Sequence, residues 1–428
     1  MVWEHRGKTA IVGIGHSPTY RRWDESPETS MGGLALQAAR QALEDAGLTV
    51  NGIDGVISSP GPVGGRWGRP IPPAVSARFN HTEGDPEDGI SKVTAGWLAR
   101  NLGIAEPKVI ADYSGMFGAL VNTGVELVIS GECSTVMLVR PLNNFEGRYQ
   151  HGGRNAESTI AGPRQFTIPY GYSGGMTTFS NTFNRYLAKY HESHDNMADF
   201  AVNNRDKGLL TEWGYYYQHR REHITRDDYI NGRQIATPLN IYDADLPIHV
   251  AGVVILTTAE RARDLRQPPA YVRSTYGLAP AEGEEYDEGG GSGVVAGLLE
   301  TIETRAALQA KSLYERAGLG PRDMGFANLY DGFLLFVPHW IEAFGFCRPG
   351  EGVEFTRPEH VGISGTFPIN PHGGNNGVGR SHGVNHYYEA VLQIRKQAGL
   401  RQVKNTDACV VVVGPPPGGE STILTRDP

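Results

Sequence analysis

The sequence predicts an α/β fold made of two similar β-α halves, and three observations carry that expectation. A helix, a glycine stop and a strand occur twice with matching spacing. A longer unit, ending in a helix, a glycine and a strand, also occurs twice. Strands such as "CVVVVG" are apolar on both faces, so the sheets they join need helices on both sides.

Taken in order, "KTAIVGIGHS" reads as a buried strand ending in a glycine turn. The helix "GGLALQAARQALEDAGL" places Leu36, Ala39, Leu43 and Ala46 on one face. Gly47 stands where a helix C-cap belongs, and the strand "IDGVISS" follows. Far downstream, "ETRAALQAKSLYERAGLGPRDMGFANLYD" repeats the arrangement. With Ala46-Gly47-Leu48 set on Ala317-Gly318-Leu319, Ile53 falls on Met324 without a gap, and the strand from Val56 falls on the one from Ala327. This indicates an internal duplication. In the second repeated unit, "PKVIADYSGMFGALVNTGVELVISGECSTVMLV" matches "SHGVNHYYEAVLQIRKQAG" followed by "DACVVVVG". The expected halves are residues 1–265 and 266–428. Residues 141–240 are rich in Tyr, Asn, Arg and His with sparse apolar periodicity, and read as a polar lid inserted in the first half. At least one helix is expected there, in "FNRYLAKYHESHDNMADFAVNNRDKG", with His191 and His194 at the surface.

The bulk numbers exclude several classes. Over 428 residues, 39% are hydrophobic and 20% charged, an ordinary globular balance. A net charge of −8 argues against a nucleic-acid surface. No apolar run approaches the ~20 residues of a membrane span, and the opening "MVWEHRGKTAIVGIG" has no secretory core. Cys133, Cys347 and Cys409 form no metal spacing, which fits a reducing cytoplasm. "VGIG" lacks the full dinucleotide fingerprint. The richest candidate stretch is "NPHGGNNGVGRSHGVNHYYEA", a glycine loop opening into a helix.

The ordered segments "AIVGIG", "ALEDAGL", "ATPLNIYDADLPIHVAGVVILTTAERA", "NLYDGF" and "FPINPHGG" resemble the thiolase superfamily, in its sterol-carrier-protein-x-type branch. The resemblance implies two β-α halves packed face to face in an α-β-α-β-α arrangement, usually as a homodimer. It also implies coenzyme A thioester chemistry with two cysteines and a histidine-lined oxyanion hole. The functional positions depart from that pattern. Tyr113 falls at the nucleophile position, with Ser114 next to it. Val412 or a neighbour replaces the second cysteine, and Cys409 reads as core. Tyr330 in "YDGF" stands at the place of the family's oxyanion-hole asparagine or histidine, and Arg380 in "GRSHGV" at that of its second oxyanion-hole histidine. An unactivated hydroxyl is a far weaker nucleophile than a thiolate, so a thiolase in the strict sense is not expected.

The altered positions resemble instead the thiolase-like subunit of steroid side-chain-cleaving aldolases, where cysteines are missing and tyrosines enter the oxyanion site. That resemblance implies retro-aldol cleavage of a β-hydroxyacyl-CoA. It also implies a small OB-fold/zinc-ribbon partner, in a heterotetramer built on the homodimer. No covalently bound cofactor is implied; the coenzyme A belongs to the substrate and zinc belongs only to the partner. Arg380 stands where that branch has a second tyrosine, so its mechanism does not transfer whole. The expected catalytic set is Tyr330, Arg380 and His382, with Tyr113, Ser114 and Asp331 as further candidates. Tyr330 and Arg380 would hold the enolate. His382, or Tyr330 with its pKa lowered by Arg380, would move the proton. Arg380 pairing with an acid such as Asp331, and Asp331 hydrogen-bonding backbone in a turn, are the competing structural readings. His386, four residues after His382, has zinc-like spacing without a third ligand, and capping or core hydrogen bonding suits it better. Two other functions remain open: acyl transfer using Ser114, and a non-catalytic scaffold for the partner.

Overall fold

The computed structural model describes residues 2–24, 26–60, 89, 92–113, 115–142, 165–166, 168–170, 175–277 and 299–428. Ser114 and residues 143–164 of the inserted segment lie outside the described residues. Nine strands form one mixed sheet among the described residues: β1 (Thr9–His16), β2 (Gly55–Ser58), β3 (Val109–Asp112), β4 (Thr135–Leu142), β5 (Val250–Thr258), β6 (Ala270–Tyr276), β7 (Phe326–Leu329), β8 (Ala408–Val413) and β9 (Glu420–Thr425). Their order is β3-β2-β4-β5-β1-β6-β9-β8-β7.

That order is a repeat read outward from the centre. β1 pairs antiparallel with β6 through three residue pairs, Thr9 to Val272, Ala10 to Tyr271 and Ile11 to Ala270. On one side follow β5 and β4 as antiparallel neighbours, then β2 and β3 as parallel ones. On the other follow β9 and β8 as antiparallel neighbours, then β7 as a parallel one. A parallel bridge from Ala327 to Ile369 stands where the second counterpart of β3 would lie. The helices repeat too: α1 (Met31–Ala46) and α6 (Leu299–Ala317) both stop at a glycine with φ 69°, Gly47 and Gly318. In this left-handed region glycine carries no Cβ penalty, and the Gly47 N–H returns to the carbonyls of Leu43 and Glu44.

The layers follow from which strand faces are apolar. Along β5, Val253 and Ile255 join a core with Leu34, Ala38 and Leu98. Val254 and Leu256 join a second core with Phe117, Leu120 and Val391. The first face is covered by α1 and by α2 (Ala95–Leu102). The second is covered by α3 (Phe117–Ile129) and α8 (Val384–Ile394). Both α3 and α8 also pack on strands of the other half, and α6 covers its outer face. The two halves of the sheet, joined at β1 and β6, thus form two layers of a helix, sheet, helix, sheet, helix arrangement.

The inserted segment differs from expectation. α4 (Gly175–Tyr190) and α5 (Ala198–Leu209) are core elements, with Phe183, Tyr186 and Phe200 fully buried. α5 also buries Asn204, Arg205 and Lys207. Its polar composition hides this packing because its neighbour is backbone: a Cβ on Gly208 would stand 2.0 Å from the Gly377 carbonyl oxygen. His194 is likewise largely buried, its Nε2 2.8 Å from Asp243 Oδ2 and 2.9 Å from the Tyr229 hydroxyl. His191 is exposed.

Candidate active site

The site forms where the two halves bring their middle helices together. The Phe117 N–H at the start of α3 donates to the His382 carbonyl, just before α8, at 3.0 Å. Around this junction lie the C-terminal ends of β2, β4 and β7, which deliver Ser59, Arg140 and Tyr330. Ligand crevices in open α/β sheets form at such strand ends.

Tyr330 is 4% exposed. Its ring lies over Gly332, where a Cβ would meet Cε1 at 2.7 Å and the hydroxyl at 2.8 Å. No larger residue fits at 332 with the phenol in this place. Burial pushes the hydroxyl pKa well up, and Asp245 adds to that. The charges of Arg380 and Arg140 oppose the shift and do not overcome it. The expected lowering by Arg380 is present but is outweighed by burial.

Arg380 is 6% exposed, and its backbone N–H donates to the Leu246 carbonyl at 2.8 Å. The Leu246 segment also supplies Asp245, whose N–H donates to Gly332 at 3.2 Å. Asp245 thereby lies between the "YDGF" turn and Arg380. Burial raises its carboxyl pKa well above the ordinary value; Arg380 pulls the other way, and Asp331 adds to the rise. The Asp245 carboxyl thus lies within reach of the Arg380 charge.

Arg140 lies on β4, 3% exposed. Its Nη1 donates to the Ser59 carbonyl at 2.8 Å, to the Ser59 hydroxyl and to the Gly115 carbonyl at 3.0 Å. Its Nη2 is 2.5 Å from Nδ1 of His382. Burial lowers its pKa to about 10, so it stays charged at neutral pH. Neither Arg140 nor Asp245 was singled out from sequence. Arg140 carried a readable signal, a charge inside the apolar strand "TVMLVRPL", because a buried charge needs a reason. Asp245 carried none.

Asp331 is fully buried, and its carboxylate accepts the backbone N–H groups of Asn375 (2.7 Å) and Asn376 (3.2 Å). It holds the short helix Gly374–Val378, at whose start Gly374 has φ 64° and a Cβ would stand 2.0 Å from Asp331 Oδ2. Its geometry is that of a clamp on the loop that carries Arg380, rather than of a group facing substrate. His386 is buried, with Nε2 3.2 Å from the Leu329 carbonyl and 3.6 Å from Asp331. Lys207 supports the same loop, donating to Val361 (3.0 Å) and Ile369 (2.8 Å), and burial lowers its pKa to about 7. Tyr113 is 44% exposed just beyond β3, its N–H bonded to the Ser58 carbonyl at 2.7 Å.

The thiols are elsewhere. Cys133 precedes β4, at the end opposite Arg140, and Cys409 lies in the first turn of β8, fully buried. Burial raises all three thiol pKa values, that of Cys347 to about 12. None of them is a thiolate at neutral pH. No described group of three or more His, Cys, Asp or Glu is arranged to hold a metal.

Known proteins share this fold and much of this sequence. Residues 298–415 match the thiolase C-terminal domain-like family. The steroid side-chain-cleaving aldolase of Thermomonospora curvata is 27% identical over 396 residues, 91% of this chain and 90% of that protein. The 17-hydroxy-3-oxo-4-pregnene-20-carboxyl-CoA lyase of Mycobacterium tuberculosis is 28% identical over 400 residues, 91% of this chain and 92% of that protein. The solved Ltp2-ChsH2(DUF35) aldolase superposes with a TM-score of 0.78 at 25% identity, covering 99% of this chain and 98% of that one. The chain has a thiolase-like fold and is similar along nearly its whole length to a steroid side-chain-cleaving aldolase and to a 17-hydroxy-3-oxo-4-pregnene-20-carboxyl-CoA lyase.

Proposed function

We propose that this protein cleaves a β-hydroxyacyl-CoA thioester by a retro-aldol reaction that forms no acyl-enzyme. The supporting observation is a buried phenol within the electrostatic reach of a buried guanidinium, Tyr330 and Arg380, in a chain whose thiols burial keeps protonated. The β-hydroxyl gives up its proton, the Cα–Cβ bond breaks, and its electron pair moves through Cα onto the thioester oxygen. Tyr330 and Arg380 donate hydrogen bonds to that enolate oxygen, where charge develops only as the bond breaks. Asp245 takes the hydroxyl proton; burial raises its carboxyl pKa above the ordinary value, which makes it a stronger base than an exposed carboxylate. Protonation of Cα then releases a carbonyl compound and a shortened acyl-CoA. Atoms balance with no added reactant.

The names of the relatives favour a bulky polycyclic acyl group, such as a steroid side chain, as substrate. The ChsH2(DUF35) component of the related complex favours a small partner, of the OB-fold/zinc-ribbon kind; the homodimer and the cytoplasmic setting rest on the sequence resemblance and composition alone. The test is chromatography of a β-hydroxyacyl-CoA incubated with the protein and such a partner. The proposal expects equal amounts of carbonyl product and shortened acyl-CoA without added coenzyme A. Turnover that requires free coenzyme A would reveal thiolysis and overturn it.

A further inference from the structure

His382 has the one ring among the candidates whose tautomer the structure dictates. Its Nδ1 sits 2.5 Å from Nη2 of Arg140. A guanidinium nitrogen only donates, so Nδ1 is the accepting, unprotonated nitrogen, and the neutral ring carries its proton on Nε2. Arg140 is not free to turn away: its Nη1 is tied to Ser59 and Gly115 at the end of β2 and the start of α3. His382 is fixed as well, in a left-handed turn (φ 51°) whose carbonyl receives the Phe117 N–H. Protonating Nδ1 would break the bond to Arg140 and set a third cation beside Arg140 and Arg380, whose charges already oppose one another.

We infer that Arg140 is a positioning residue that locks His382 in the Nε2–H form, so that His382 serves the reaction as a hydrogen-bond donor to a substrate oxygen and not as its base. The bond crosses from β4 in the first half to the loop before α8 in the second, so one half sets the chemistry of a side chain in the other. The nature of the oxygen served rests on the retro-aldol reading; the tautomer does not.

Two measurements test this. The first is nitrogen-15 NMR of ring-labelled histidines in the full chain without substrate, with the His382 signal identified by its loss in His382→Gln. The Nε2–H tautomer is expected across about pH 6–8, giving way to a ring that titrates in Arg140→Met. An Nδ1–H or protonated ring in the parent protein overturns the inference, whatever the reaction proves to be. Arg140→Lys keeps a donating cation and should hold the tautomer if the methionine variant does not fold. The second is cleavage rate. His382→Gln keeps an N–H donor without a basic nitrogen and should stay within about tenfold of the parent, whereas His382→Leu should lose about 100-fold. Equal loss in both variants, or none in either, contradicts a donor role.

Discussion

The loops leading into α3 and α8 occupy equivalent places in the two halves, yet they have opposite characters. The first, around Tyr113 and Gly115, is partly exposed and carries no buried functional side chain among its described residues. Its half contributes from below, through Arg140 on β4. The second, from Asn370 to Gly383, is buried almost throughout and presents Arg380 and His382. It is clamped by Asp331 and Lys207. Duplicated topology thus fixes where a site forms, at two facing helix starts, while the loops decide separately what chemistry it holds.

The comparison breaks most severely at the second half's donors. Tyr330→Phe should lower kcat by about 10²–10³-fold with the fold intact. Steady-state cleavage assays and circular dichroism together check this, and undiminished turnover would place the enolate elsewhere. Gly332→Ala comes next. Its Cβ would stand 2.7–2.9 Å from the Tyr330 ring and hydroxyl, so the phenol must shift. Stability should fall by about 1–3 kcal/mol, read by urea denaturation, and kcat should fall with it.

Asp331→Ala leaves the amides of Asn375 and Asn376 without acceptors. A loss of about 1–3 kcal/mol per buried unsatisfied group is expected, with a kcat loss smaller than that of Tyr330→Phe. A kcat loss as large as that one, with stability unchanged, would make Asp331 a participant in the chemistry. In contrast, Cys133→Ala should leave kcat unchanged, and a large drop would restore a thiol to the mechanism.

The smallest effect concerns pH. Burial raises the Glu420 carboxyl to about 7 from an ordinary 4.5. The folded state therefore holds this proton more tightly than the unfolded one. Its stabilising contribution is complete below about pH 4.5 and is lost as pH rises through about 7. Glu420→Gln should therefore gain in melting temperature over the parent at about pH 8 but not at about pH 5. An equal difference at both values would show that Glu420 ionises normally in the fold.

The duplication was legible because its signals are local: a glycine helix stop and an apolar strand, repeated at one offset around Gly47 and Gly318. Tyr330 and Arg380 were legible as substitutions at positions where a related pattern places chemistry, and His382 as an imidazole two residues beyond Arg380. The contacts that give them roles were not. Arg140 and His382 are 242 residues apart, and only the packing of the two halves makes them neighbours. Asp245 looks like any loop acid until the backbone of residues 244–247 is threaded between Gly332 and Arg380. The polar reading of α5 failed for the same reason, because its backbone at Asn204 and Gly208 packs against the glycine-rich loop at Gly373 and Gly377, a contact that hydropathy does not register.

The most direct test of cleavage without an acyl-enzyme is the intact mass of the chain during turnover of a β-hydroxyacyl-CoA, quenched in acid. An unmodified mass at every time point, while shortened acyl-CoA accumulates, is the predicted result. An acyl adduct that forms and decays at the turnover rate, on Ser114 or on any cysteine, would contradict it.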